Sequence, residues 1–428
     1  MFERVHDSVM IQAPKSLRVL LPEGSSTSAR EAITILGLSG HHVEICDPNS
    51  WALGRFSRFV RRFHRCPPLR DDPAGYLAFI EKLLAERRFD VLLPTHEQGF
   101  LFARAEARLL QHAGVALPDF TNYRTAHSKA GFSRLLDQLG LPQPPTRIVQ
   151  GEEALRRVLR FPAVVKTSVG TASRGVWFVR DERELENAVR DLSASGAFAG
   201  EMLVQALVAG TTEKAQSVFC RGRLVGFHAY RQVAGGIGGG EAIKQGVARP
   251  PVREMLSAIG EKLVWHGALS VDYLMTADDA PPLLIDCNPR LVEPMNAYLS
   301  GVDLVGLLLR ISLGETPAVL AEGRSGVRTH LSMQALLGLA ARGGTRRDLL
   351  REGWRLWCAR EPYADGAEEM TPLRLDWMSV VPLFLTASLL LAAPRAALRL
   401  ARGGFGAHLL GLESIKEIEG EAFGRAEP

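Results

Sequence analysis

Two strand-like runs, LSVDYLM (Leu269–Met275) and PLLIDCN (Pro282–Asn288), each hold an aspartate among apolar neighbours. No other feature restricts the fold as much, because a carboxylate inside a sheet must be paired or bound to a metal. Leu283, Leu284 and Ile285 form a short apolar run of the kind that lies inside a sheet. Asp286 and Asn288 then share one face, since side chains alternate along a strand. Arg290 follows two residues on. Two oxygen donors on one face, beside an arginine, suit a magnesium ion holding a phosphate. With Asp272 on the adjacent strand, two carboxylates and one amide can bridge magnesium to phosphate oxygens. The alternative is a salt bridge to Arg290 or Lys166.

The rest of the chain supplies a frame for such a site. SLRVLLPEG (Ser16–Gly24) reads as a strand breaking into a turn, and SAREAITILGLSGHHVEICD as a helix and a second strand ending near Asp47. FDVLLPTHEQGFLF places a third strand at Val91–Leu93 between helical stretches. Strand and helix in alternation predict a parallel α/β layer, residues 1–117. One helix carrying Lys129 follows, with a Pro-rich exit at Pro142–Pro145 that predicts a boundary. MLVQALVAGTTEKAQSVFCRGRLVGFHAY gives two or three strands turning at Gly210 and Gly222. A glycine-dense loop, GGIGGGEAIKQG, and a helix over Pro251–His266 lead to the two acid strands.

VVKTSVGTASRGV puts Lys166 at the end of a strand and then a loop of small residues. Such a loop lets backbone N–H groups close on phosphates, because small side chains allow the backbone near the ligand. It is not a Walker loop, since no GKS or GKT follows and the chain returns to a strand. A plain β-hairpin has the same pattern. MLVQALVAGTTE offers an extended edge that can pair an adenine, with Glu213 in reach of a ribose, or it is a structural strand.

At 428 residues the chain has room for two or three domains, and a net charge of +4 is too small to argue for nucleic acid. Five scattered cysteines with no CxxC pair argue against a zinc site and a disulfide framework, and for a reducing cytosol. The N-terminus shows no secretory pattern.

In order, then, come Lys129 in HSKAGF, VVKTSVGTASRGV, an apolar hinge with a later glutamate, an acid strand and IDCNPR. This succession resembles the ATP-grasp superfamily, in the branch of carbamoyl-phosphate synthetase and predicted ATP-dependent carboligases, over roughly residues 16–320. The resemblance implies an α/β protein: an N-terminal pre-ATP-grasp domain (1–117), an ATP-grasp domain of α+β type (118–320) and a C-terminal helical extension (321–428). It implies ATP and Mg2+ (or Mn2+). Lys129 and Lys166 would contact phosphates, and Gly170, Thr171, Ser173 and Gly175 would form the loop over the γ-phosphate. Gln205, Ala206, Leu207 and Val208 would be the adenine hinge, and Glu213 the ribose contact. Asp272, Asp286 and Asn288 would bind the metal, and Arg290 would stabilise the transferring phosphoryl group. Two departures stand out: both metal carboxylates are aspartate where glutamate is frequent, and the hinge carries Gln205 where glutamate is frequent. The implied reaction joins a carboxylate to an amine or other nucleophile through an acyl phosphate, with ADP and phosphate released. Alternatives are a phosphotransferase with a hydroxyl acceptor and a nucleotide-binding membrane adaptor without turnover. Arg231, Glu241, Lys244 and Glu293 are candidates for holding substrate, and His96 and Glu97 follow a parallel strand at its ligand-binding end. Oligomeric state is not legible.

Two segments stand outside this scheme. WALGRFSRFVRRFHR (Trp51–Arg65) has a basic, aromatic helical pattern that fits a membrane surface or a solvated face over a buried stripe. Residues 377–393 carry no charge and precede Arg395, Arg399 and Arg402. An interfacial helix ranks first for this apolar stretch, a docked core helix second and a span third, since about 20 residues are needed to cross a bilayer. Contact through 377–402 would keep the protein cytoplasmic but membrane-associated.

Overall fold

The structure, a computed structural model, describes residues 16–170, 175–277, 279–397, 408–420 and 423. The first sheet is the expected parallel layer. Strands β1 (Arg18–Leu21), β2 (His42–Cys46), β3 (Val60–His64) and β4 (Val91–Leu92) run in the order β3-β2-β1-β4. Helices Thr27–Leu38 and Pro73–Arg87 connect them, started by Ser26 and Asp72, whose side chains accept N–H bonds from the first turn. Leu20 belongs to one apolar core while Val19 and Leu21 belong to another. The layer is therefore buried on both faces, as parallel sheets are.

The basic, aromatic segment is not a helix. It forms a short 3-10 turn at Leu53–Arg55 and then the edge strand β3. Phe59 and Phe63 pack on the second core, while Arg55 lies 5.0 Å from the Phe63 ring and Arg58 4.8 Å from Phe59. A spacing of three to four residues between aromatics serves a helix or a turn leading into a strand. Here pairing with the open edge of β2 decides it.

The second sheet is antiparallel, in the order β5-β8-β6-β7: β5 (Thr146–Gln150), β6 (Ala163–Thr167), β7 (Val176–Val179) and β8 (Glu201–Ala206). The third has seven strands, in the order β13-β12-β9-β10-β11-β14-β15. They are β9 (Thr211–Cys220), β10 (Arg223–Gly235), β11 (Glu241–Val247), β12 (Gly267–Met275), β13 (Leu283–Asn288), β14 (Arg328–His330) and β15 (Gly366–Glu368). The helix before β12 spans Pro250–Lys262, shorter than expected, because Val264 turns the chain at φ +45° and Trp265 is buried.

The segment after residue 320 is not purely helical, since β14 and β15 continue the seven-stranded sheet. The uncharged stretch forms a 3-10 turn at Trp377–Ser379 and a 13-residue helix, Val380–Ala392. At 1.5 Å per residue this helix is about 20 Å long. No helix of the described residues is long and apolar enough to cross a membrane. Arg399 and Arg402 lie outside the described residues.

The chain's last described part returns to the first layer. His408 Nε2 donates to Asp47 Oδ2 at 2.9 Å, Leu410 N–H donates to Glu97, and Ile415 and Ile418 join the first core. Burial opposes charge on His408, but the Asp47 carboxylate outweighs it and raises the imidazole above its usual value. A raised folded pKa gives stability that is full below the unfolded pKa of about 6.5 and is lost as pH climbs through the folded value. His408→Ala is therefore expected to cost roughly 3 kcal/mol at pH 6. Thermal melts should show the gap from wild type narrowing at pH 9; an equal gap at both pH values would mean that the ion pair contributes nothing.

Candidate active site

The two aspartates that constrained the sequence reading lie directly opposite each other. Asp272 on β12 pairs with Asp286 on β13, and Ser270 pairs with Asn288. The register continues across the sheet: Asp272 faces Lys214 on β9, and Lys214 faces Tyr230 on β10. One row thus runs from two carboxylates to a lysine to a phenol, all on one face. Burial and the neighbouring charge of Asp286 push the Asp272 carboxyl up to about 6, against the pull of Lys214.

Both predicted lysines reach this row. Lys129 begins the helix Lys129–Leu139, and its Nζ lies 3.1 Å from Asp286 Oδ1 while donating to the Gly170 carbonyl at 2.8 Å. Lys166, on β6, donates to the Ile285 carbonyl at 2.8 Å. Burial lowers the Lys166 pKa, and Lys129 lowers it further, while Asp286 and Asp272 pull it back. The second sheet therefore lays its lysine over the acid end of the third. Gly170 and Gly175 flank the turn between β6 and β7, and Gly175 has φ +79° with a position where a Cβ would strike Thr167 Oγ1. Thr171 and Ser173 lie outside the described residues.

Arg290 follows β13. Its Nη2 donates to Asn288 Oδ1 at 3.1 Å, and its carbonyl accepts from Ser270 Oγ. It lines two adjoining cavities, one with Lys129, Gly170, Glu97 and His127, the other with His96, Trp265 and Pro118. Burial and the Arg290 charge hold the His96 imidazole well below its usual pKa, so it is neutral at pH 7.

The hinge residues sit at the end of β8. Ala206 N–H donates to Pro145, Leu207 N–H to Pro162, and Gln205 Nε2 to Thr146 Oγ1. Glu213 is not an open carboxylate: Arg249 holds it with two 2.7 Å bonds and Tyr273 donates to it at 2.9 Å.

The four substrate candidates separate. Arg231 is exposed and bonds Gln245. Glu241 is buried against Lys214 at 2.6 Å. Lys244 is fully buried between Glu293 and Glu369, with its Nζ 5.2 Å from the Tyr230 ring. Glu293 takes φ +45°, an uncommon conformation for a side-chain-bearing residue, fixed by Ser28, Thr27 and Lys244. Lys244 and Lys214 hold its carboxyl down, at about 2, against the effect of burial. Glu31 and Glu369 join the same cluster, and one oxygen of each lacks a hydrogen-bond partner among the described residues. Lys244 pairs with two of these carboxylates, Glu293 and Glu369, while Glu31 accepts the Met295 N–H and burial pushes its carboxyl well up.

Lys214, Tyr230, Glu31 and Glu369 were missed in the sequence. Lys214 had a signal in the polar alternation Thr212, Lys214, Gln216. Glu31 and Glu369 had none, because tertiary packing alone brings the first layer and the last strand to Lys244.

No protein-family model matches the chain. The carbamoyl phosphate synthase large chain of Thermus thermophilus is 28% identical over 226 residues, 49% of this chain and 22% of that one. Among solved structures, an L-amino acid ligase from Bacillus licheniformis superposes with TM-score 0.55 at 18% identity, over 74% of this chain and 80% of the other. The biotin carboxylase domain of the Hydrogenobacter thermophilus 2-oxoglutarate carboxylase, solved with MgADP and bicarbonate, gives TM-score 0.59 at 16% identity, over 74% of each chain. These likenesses to solved structures show the fold of the chain. The chain has the ATP-grasp fold, with the lysine-bearing second sheet set over the acid strands of the third. It spans less than a third of the length of the carbamoyl phosphate synthase relatives it matches.

Proposed function

We propose that this ATP-grasp protein is an enzyme, an ATP-dependent ligase that joins a carboxylate to an amine or other nucleophile through an acyl phosphate. The observation that carries this reading is the cross-strand pair Asp272 and Asp286, with Asn288 and Arg290 beyond it and Lys129 and Lys166 above it. The relatives are a carbamoyl phosphate synthase, an amino acid ligase and a biotin carboxylase domain.

The donor set fits a divalent cation. Two facing carboxylates and an amide are oxygen ligands of the kind magnesium takes, and Asp286 adds to burial in raising the Asp272 carboxyl. Asp272, Asp286 and Asn288 would hold Mg2+ or Mn2+, which offsets the charge on the phosphate oxygens of ATP. Lys129 and Lys166 would bind phosphate oxygens, Gly170 to Gly175 would close over the γ-phosphate, and Val208 would offer the hinge N–H to adenine. Glu213 would reach the ribose only while keeping Arg249.

The substrate carboxylate attacks the γ-phosphorus, the bond from the γ-phosphorus to the β,γ-bridging oxygen breaks, and ADP leaves. Arg290 lies where it can meet the charge that grows on the phosphoryl oxygens. The nucleophile then adds to the acyl carbon, phosphate departs, and an amine nucleophile gives up a proton. Neutral His96, beside Arg290, can offer a hydrogen bond there, while the departing phosphate takes up that proton. A cytoplasmic site of action goes with ATP and with five cysteines that are all free thiols.

Hydroxylamine tests the intermediate. With Mg-ATP and the correct carboxylate, it should trap the acyl phosphate as a hydroxamate without the natural nucleophile. ATP turnover on that carboxylate with no hydroxamate would refute the acyl phosphate.

A further inference from the structure

The C-terminal segment leaves a surface that the ligase reading does not use. Helices Arg346–Trp357 and Val380–Ala392 both pack into one apolar cluster against helix Ser332–Ala341, through Leu349 on the first and Leu390 on the second. Each also carries an uncovered apolar stripe. On the first it is Leu350, Trp354 and Trp357, at i, i+4 and i+7, and Trp357 is 76% exposed. On the second it is Phe384, Leu385 and Leu389, with Trp377 and Val380 just before them, and Phe384 is 67% exposed. Eight of the seventeen exposed large hydrophobic residues in the described chain thus fall on these two helices and the 3-10 turn Trp377–Ser379 that leads into the second.

The charge beside the tryptophan stripe is net positive, with four arginines against two acids on the helix Arg346–Trp357. Arg347 and Arg351 flank the tryptophan stripe, and Arg355 follows. The two acids of the same helix offset part of this charge: Asp348 caps the helix through Thr345 and lies 3.7 Å from Arg351, and Glu352 accepts from Tyr363 and from Arg355 at 3.4 Å. Arg346 ties the two helices together by donating to the Leu391 and Ala392 carbonyls at 2.6 and 3.0 Å.

We propose that these two helices form a docking surface for an anionic phospholipid bilayer, lying in the headgroup region without crossing it. Three physical arguments select this occupant. Tryptophan favours the membrane–water boundary, where its ring is half in each phase. Arginines beside an apolar stripe match lipid phosphates. The outer face of Val380–Ala392 offers few hydrogen-bonding groups, whereas a protein partner would require about one hydrogen bond per 100–200 Å² of interface. This inference stands apart from the ligase reading.

The test is co-sedimentation of the full chain with phosphatidylcholine vesicles, with and without phosphatidylglycerol. Binding is expected on the anionic vesicles alone and should weaken with salt. Trp354→Ser with Trp357→Ser, and separately Phe384→Ser with Leu389→Ser, should each lower the partition coefficient by roughly 10-fold or more. Arg347→Glu with Arg351→Glu should lower it on anionic vesicles while melting temperature and ATP affinity hold, which shows an intact fold. No binding to anionic vesicles, or undiminished binding by these variants, overturns the proposal. So does self-association in lipid-free solution that the same substitutions abolish, because the occupant would then be a second copy of the chain.

Discussion

Arg290→Ala is expected to slow ATP turnover by roughly 10²–10³-fold, the usual effect of removing a preorganised donor aimed at developing charge. The side chain lines both cavities next to the acid row, and its guanidinium is already turned toward that row by Asn288 Oδ1. The fold should survive, because the contact to Ser270 is made by the Arg290 carbonyl, which alanine keeps. Steady-state rates and thermal melts on the same preparation separate the two effects. ATP affinity should fall less than the rate, since the arginine serves the transferring group more than the bound nucleotide. A wild-type rate in a folded Arg290→Ala variant would remove the arginine from the chemistry.

Lys244→Met should produce the largest loss of stability of any single change considered, roughly 3–5 kcal/mol. Methionine fills a similar volume but leaves Glu293 and Glu369 buried without their cation, next to a Glu31 carboxyl that burial and Glu369 already push well above its usual range. Adding Glu369→Gln should restore part of the loss, because one buried charge is then gone, and a double-mutant cycle by urea unfolding measures the coupling. Additive effects would show that the lysine and Glu369 do not act as a pair. The cluster joins helix Thr27–Leu38, the turn after β13 and the end of β15, so its loss is also expected to loosen the three parts together.

Much of this site was legible where the chemistry is local. The acid strands, Asn288 and Arg290 could be read because an aspartate inside an apolar run has few permitted environments, and alternation fixed which residues share a face. Lys129 and Lys166 could be placed by order along the chain, and the structure brings both to the acid row. What failed was whatever depended on partners distant in sequence. Glu213 looked available for a ribose because nothing in its neighbourhood announced Arg249. Lys244 and Glu293 were read as open to substrate, yet Glu369 closes over them from just after β15, a three-residue strand that had no pattern of its own. The basic segment at Trp51–Arg65 has a period compatible with two structures, and a vacant sheet edge chose the extended one. The uncharged stretch from Trp377 was rightly too short to span, but the second apolar stripe at Trp354 and Trp357 emerged only once burial was known.

The central claim concerns bond chemistry at ATP, and nucleotide product analysis reaches it most directly. Purified protein is incubated with Mg-ATP and a pool of amino acids and small carboxylic acids, while ADP, AMP and phosphate are read together. An acyl-phosphate ligase gives ADP and phosphate in equal amounts, only when the pool is present, and splitting the pool then identifies the carboxylate. ADP without phosphate would assign a phosphotransferase, and AMP would assign adenylation; either result contradicts the mechanism drawn from Asp272, Asp286, Asn288 and Arg290.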